Sequence, residues 1–184
     1  MLLEESKKVT AFNNYAKFLS NKFNVSVVFD GVNAHTDGKT ITLPNINGMS
    51  GDEIDFLYCV LLHEIGHIRH SDFSNDAFKK IKTENHFLVA NAIEDARVEN
   101  LLIKEFDGAN EIFENLYNKY SIDQKFMKRV FGFDIKEMDF VKAVSSYVHH
   151  KIIKIKNKVS FSSFVKKSIE KKVLSFVLET KLDE

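Results

Sequence analysis

Apolar and polar positions follow two periods along this chain, and the switches between them mark its elements. From about Leu3 to Phe23, the residues Leu3, Val9, Phe12, Tyr15, Ala16 and Leu19 fall on one helical stripe, which predicts an amphipathic opening helix. Asn24 breaks the pattern. Val25-Ser26-Val27-Val28-Phe29 then reads as a short β-branched strand, with Asp30-Gly31 as a turn. After Ala34-His35-Thr36, the pair Asp37-Gly38 is a hairpin-type signal, and Lys39-Thr40-Ile41-Thr42-Leu43 alternates until Pro44 ends it. A small antiparallel sheet is expected here, with His35 on a solvated loop. The 39–43 strand is either an edge able to hold an extended peptide by strand addition or a cover for the core.

The period then lengthens. Ser50-Gly51-Asp52-Glu53 places a hydroxyl at a helix start and a carboxylate three residues on, the capping-box pattern, with two acids in the first turn. Ile54, Leu57, Tyr58, Leu61, Leu62, Ile65 and Ile68 recur at helical spacing, and Cys59 and Val60 widen the apolar surface. The result is a largely buried helix from about Asp52 to His70. Gly66 inside it costs about 1 kcal/mol relative to Ala, which implies a close approach of another backbone. Ser71 to Asp76 reads as a polar break, and a short helix with Ala77, Phe78 and Ile81 leads to Thr83. A long helix follows from about Glu84 to Phe106, stopped by Asp107-Gly108. Further helices are expected over Asn110–Tyr120, Asp123–Phe131, from Asp134 to about Lys156, and from Ser160 through Val177.

This reading gives an α+β fold, mostly helical, as a single domain over residues 1–184 with its core in 24–106 and a helical part in 110–184. Composition agrees: 184 residues with 44% hydrophobic and 12% aromatic content can fill one core. The 26 basic and 26 acidic residues cancel, so no global field recommends nucleic acid or a membrane as partner. The lone cysteine, Cys59, has no internal disulfide partner and reads as a small core residue. No signal-peptide pattern and no apolar run of membrane length stand out, so a soluble, cytoplasmic protein is expected. Lys151, Lys154, Lys156, Lys158, Lys166, Lys167, Lys171 and Lys172 concentrate positive charge late in the chain. A solvated helix face accounts for them more simply than a nucleic-acid site does.

The candidate chemistry sits in the helix after the sheet, in His63-Glu64-Ile65-Gly66-His67. Residues four apart on a helix stand one above the other, roughly 5–6 Å apart at Cβ, so both imidazoles can reach one Zn²⁺. Glu64, one step round, is placed to take a proton from water at the metal. The competing account is a pair of core histidines satisfied by hydrogen bonds. An open zinc site takes three protein ligands, and Asn91-Ala92-Ile93-Glu94-Asp95-Ala96-Arg97-Val98-Glu99 offers the third. Helical geometry favours Asp95, at the centre of the apolar stripe, with Glu94 as the alternative. Asn91 and Glu99, one turn either side of Asp95, are candidates to support the ligands, Glu99 by accepting the free ring N–H of a ligating histidine. Arg97 is expected to pair with a carboxylate of the cluster. His70 stands about two turns from His63, too far to share its ion; it and His86 read as polar surface or supporting residues. Tyr147, His149 and His150 are candidates to stabilise an oxyanion, and Tyr117 and Tyr120 stay open.

With these stretches placed, the chain resembles the zincin metallopeptidases, and within them the metallopeptidase domains found joined to von Willebrand A domains, as in proteins similar to the CobT subunit of cobaltochelatase. Thr36 to Pro44, His63 to His67 and Asn91 to Glu99 carry the likeness, in the family's order. The resemblance implies a hydrolase with one zinc on His63, His67 and a carboxylate of the Glu94-Asp95 pair, Glu64 as base, and a peptide or protein substrate. The 184 residues leave no room for a von Willebrand A domain, so a small free-standing version is expected, of the kind that resembles phage or bacterial proteins. The other class of function is a binding or assembly module that keeps the zinc and turns nothing over. Glu64 favours the enzyme, because a structural zinc needs no base.

Overall fold

Helices carry most of the described residues because the helical period persists over long stretches, while the period of two is confined to residues between Val25 and Pro44. A computed structural model describes residues 2–31, 33–74, 80–122, 147–149 and 151. Its elements are α1 (Leu2–Ser20), β1 (Ser26–Gly31), β2 (His35–Thr36), β3 (Thr40–Pro44), α2 (Gly51–His70), α3 (Glu84–Glu105) and α4 (Ala109–Ile122), an α+β arrangement with one three-stranded sheet. Residues 147–149 and 151 are also helical. The short helix expected around Ala77 and Phe78, the remainder of the helices expected beyond 122, and the lysines beyond 151 lie outside the described residues. Among the described residues, 2–71 form one compact unit, and 72–122 with 147–149 and 151 another.

In the first unit, α1 stops at Ser20 rather than Phe23 because Asn21 turns to φ 54, a left-handed conformation that asparagine tolerates. Phe12 and Ala16 are fully buried. Phe12 stacks on Tyr58 of α2 with ring centroids 4.0 Å apart and meets Phe29 of β1 edge-on at 5.2 Å. Burial pushes the Tyr15 and Tyr58 hydroxyls above the usual tyrosine range.

The sheet order is β1-β3-β2. β2 and β3 form the expected antiparallel pair around Asp37-Gly38, with Gly38 at φ 90. Asp37 Oδ1 accepts the N–H groups of Lys39 at 2.9 Å and Thr40 at 2.7 Å, which holds its carboxyl below the usual range. Those bonds stabilise the turn at neutral pH and weaken as pH falls through the lowered value. β1, however, pairs with β3 in parallel, so the sheet is mixed rather than antiparallel. β3 is therefore the central strand, with Ile41 and Thr42 paired on both sides, which removes the 39–43 segment as an edge for strand addition. Alternation reveals which side chains face the core, here Ile41 and Leu43, but carries no information on strand direction or order. His35 is exposed on β2 opposite Thr42 rather than on a loop.

The other edge of β1 is closed by α1. Val27 donates its N–H to Asn13 Oδ1 at 2.9 Å, and Asn13 Nδ2 donates to Val27 O at 3.3 Å, so one amide side chain imitates a strand partner. Asn13→Leu leaves both backbone groups without this partner and is expected to destabilise the fold by about 1–3 kcal/mol in urea denaturation. Asn13→Asp keeps the acceptor and should cost less.

Helix α2 starts as the capping box requires: Ser50 N–H donates to Glu53 Oε2 at 2.7 Å. It buries Ile54, Phe56, Leu57, Val60, Leu61, Leu62, Ile65, Gly66 and Ile68, more than one face. Cys59 is half-buried, its Sγ 3.5 Å from Asp55 O, rather than a core residue. The last turn is braced to α1: Lys22 Nζ donates to Ile68 O at 2.7 Å, and Arg69 Nη1 to Leu19 O at 2.9 Å. Cations at helix C-termini complement the partial negative charge there.

In the second unit, Thr83 caps α3 by accepting His86 N–H at 3.3 Å. Phe106 ends it, donating its N–H to Leu102 O, and Gly108 at φ 88 turns the chain into α4. Ala92, Ala96, Val98, Leu101 and Leu102 of α3 and Ala109, Phe113 and Leu116 of α4 are buried.

Candidate metal centre

The helix that carries His63, Glu64 and His67 is continuous through all three. Both histidines are half-buried, their rings inclined at 76° with centroids 4.9 Å apart. His63 Nε2 and His67 Nε2 stand 3.3 Å apart. Two zinc–nitrogen bonds of about 2.0–2.1 Å meeting at a tetrahedral angle hold their nitrogens about 3.3–3.4 Å apart, so the pair fits one ion. His67 Nδ1 lies 2.9 Å from Ser71 Oγ. Glu64 is 6% exposed, between the fully buried Ile65 and the buried Leu62.

On α3, Asp95 Oδ2 accepts from Asn91 Nδ2, one turn away, at 2.9 Å. Asp95 is half-buried rather than central to the stripe, because the burial of α3 runs through Ala92, Ala96 and Glu99 while Phe87 and Leu88 in its early turns are exposed. Glu94 is gripped by Arg97, whose Nε and Nη2 each donate at 2.7 Å to a separate carboxylate oxygen. Arg97 therefore pairs within the cluster, as expected, and Glu94 is the carboxylate it takes.

Glu99 is fully buried. Its Oε1 accepts from the Tyr117 hydroxyl at 2.6 Å, and its Oε2 lies 3.1 Å from His149 Nε2. The Tyr117 and His149 rings are 4.3 Å apart. The histidine seen beside Glu99 in this unit is thus His149, and Tyr117 and His149, both considered for an oxyanion, meet at this carboxylate. Tyr147 is 2% exposed, with Lys151 Nζ 5.6 Å from its ring centroid. His150 and the Tyr120 side chain lie outside the described residues.

No family model, curated protein or solved structure matches the chain. The site therefore stands on its own geometry.

His70 is half-buried and His86 exposed. Sequence reasoning missed the contact of Ser71 with His67, although its signal was present: a hydroxyl four residues after the second histidine. The Tyr117–Glu99–His149 group had no such signal, since its members are far apart in sequence.

Proposed function

We propose that the chain hydrolyses peptide bonds, with zinc held by His63, His67 and Asp95 and with Glu64 as the general base. The observation that carries this reading is the 3.3 Å between the two Nε2 atoms on α2, the separation that one tetrahedral zinc needs. His63, His67 and Asp95 each offer one ligand atom, the three that an open catalytic zinc site takes from the protein. The grip of Arg97 on both oxygens of Glu94 favours Asp95 over its neighbour as the third ligand.

When bound, zinc supplies a Lewis acid that polarises the scissile carbonyl and acidifies water. Glu64 takes the proton of the attacking water and delivers it to the leaving amine. The substrate in this reading is a peptide or protein, and the setting is cytoplasmic. No described helix is long and apolar enough to cross a membrane. The test is incubation of zinc-loaded protein with a diverse peptide library, with and without a chelator. Cleavage that the chelator abolishes and added zinc restores is the expected result. Protein that takes up no zinc on titration overturns the reading.

A further inference from the structure

We infer that Ser71 is a positioning residue for the proposed metal centre: its hydroxyl accepts the Nδ1 proton of His67, which leaves His67 Nε2 with its lone pair directed to the ion. The inference rests on the zinc reading above and names how this chain prepares one ligand for it.

A neutral imidazole carries one ring proton, and the nitrogen that carries it cannot bind metal. Which nitrogen is protonated is set by the hydrogen bond the other makes. In His67 the two nitrogens have distinct neighbours: Nδ1 lies 2.9 Å from Ser71 Oγ, and Nε2 lies 3.3 Å from His63 Nε2. A hydroxyl can accept from a protonated Nδ1 or donate to a bare one; the first holds in this reading, because only that tautomer leaves Nε2 a lone pair for the ion.

Ser71 is well held for this task. It leaves α2 in an extended conformation at φ -92 and ψ 141, and its backbone N–H donates to His67 O at 2.9 Å. Main chain and side chain thus both turn back on the same residue. The carbonyl of Ile68 takes Lys22, and Arg69 reaches Leu19 O, so the turn that carries Ser71 is tied to α1. A supporting hydroxyl on a braced turn keeps the ring within the narrow range a metal ligand needs. Capping of the helix is a separate role, performed by the backbone N–H, which alanine retains.

The experiment compares wild type, Ser71→Ala and Ser71→Thr. Zinc affinity, measured by competition with a chromogenic chelator, should fall about 10–100-fold in Ser71→Ala. It should recover in Ser71→Thr, which restores the hydroxyl, while the melting temperature of the metal-free alanine variant stays near that of wild type. Long-range ¹H–¹⁵N spectra of the metal-free protein, at a pH where the ring is neutral, supply a readout that needs no metal. Wild-type His67 should carry its proton on Nδ1, and Ser71→Ala should shift it towards Nε2. Unchanged affinity in Ser71→Ala, or a wild-type His67 protonated on Nε2, overturns the inference. Wild type that binds no zinc would refute the functional reading instead, and the tautomer spectra would still decide the role of Ser71.

Discussion

Glu64→Gln is expected to leave the fold and the zinc content of the protein intact while peptide hydrolysis falls by about 10²–10⁴-fold, the usual contribution of a positioned general base. The two outcomes separate because Glu64 is on α2 but one residue round from His63, so it lies off the line joining the two ligand nitrogens. The amide is nearly isosteric with the carboxylate, so the packing around this buried side chain survives. It cannot accept a proton from water, so the step that generates the nucleophile fails. Mass spectrometry of a peptide library digested by each form reads the difference directly. Equal cleavage by both would eliminate Glu64 as the base. A full zinc complement with no cleavage by either form would favour the binding module.

The parts of the fold set by local chemistry were legible in the sequence. Ser50 and Glu53 announce the start of α2, and the donation from Ser50 N–H to Glu53 is the bond that their spacing foretells. Thr83, and Gly108 just past its end, likewise bound α3. The strand direction was not legible, because Val27 and Ile41 would present the same alternating pattern to a parallel or an antiparallel neighbour. The HExxH stretch shows the same division. Helical spacing foretells that His63 and His67 share a side, and their nitrogens do face each other. It foretells the Asn91–Asp95 contact for the same reason. It does not foretell how deep Asp95 lies, since burial depends on what packs over the early turns of α3, nor that Glu99 would meet Tyr117 from α4. Charge pairing was half legible: Arg97 had to find an acid, but only side-chain conformation selects Glu94.

Removing ligands one at a time gives the second large effect. His63→Ala and His67→Ala are each expected to lose zinc from a stoichiometry of about one per chain to essentially none, since two protein ligands hold an open site far more weakly than three. Each loss should exceed the about 10–100-fold expected for a supporting residue such as Ser71. The two carboxylates of α3 sharpen the test. Asp95→Ala should follow the histidine variants, whereas Glu94→Ala should retain zinc, because Glu94 is engaged through both oxygens by Arg97. Its removal also takes away the ion pair with Arg97, so metal content must be compared on protein shown to be folded by circular dichroism before elemental analysis. Asn91→Ala, which deletes the 2.9 Å donor to Asp95, should fall between them. If Glu94→Ala loses zinc and Asp95→Ala keeps it, the third ligand moves by one residue and the peptidase reading survives. If both histidine variants retain a full equivalent of zinc, the metal is not on α2, and the 3.3 Å between the two Nε2 atoms marks a hydrogen-bonded pair instead.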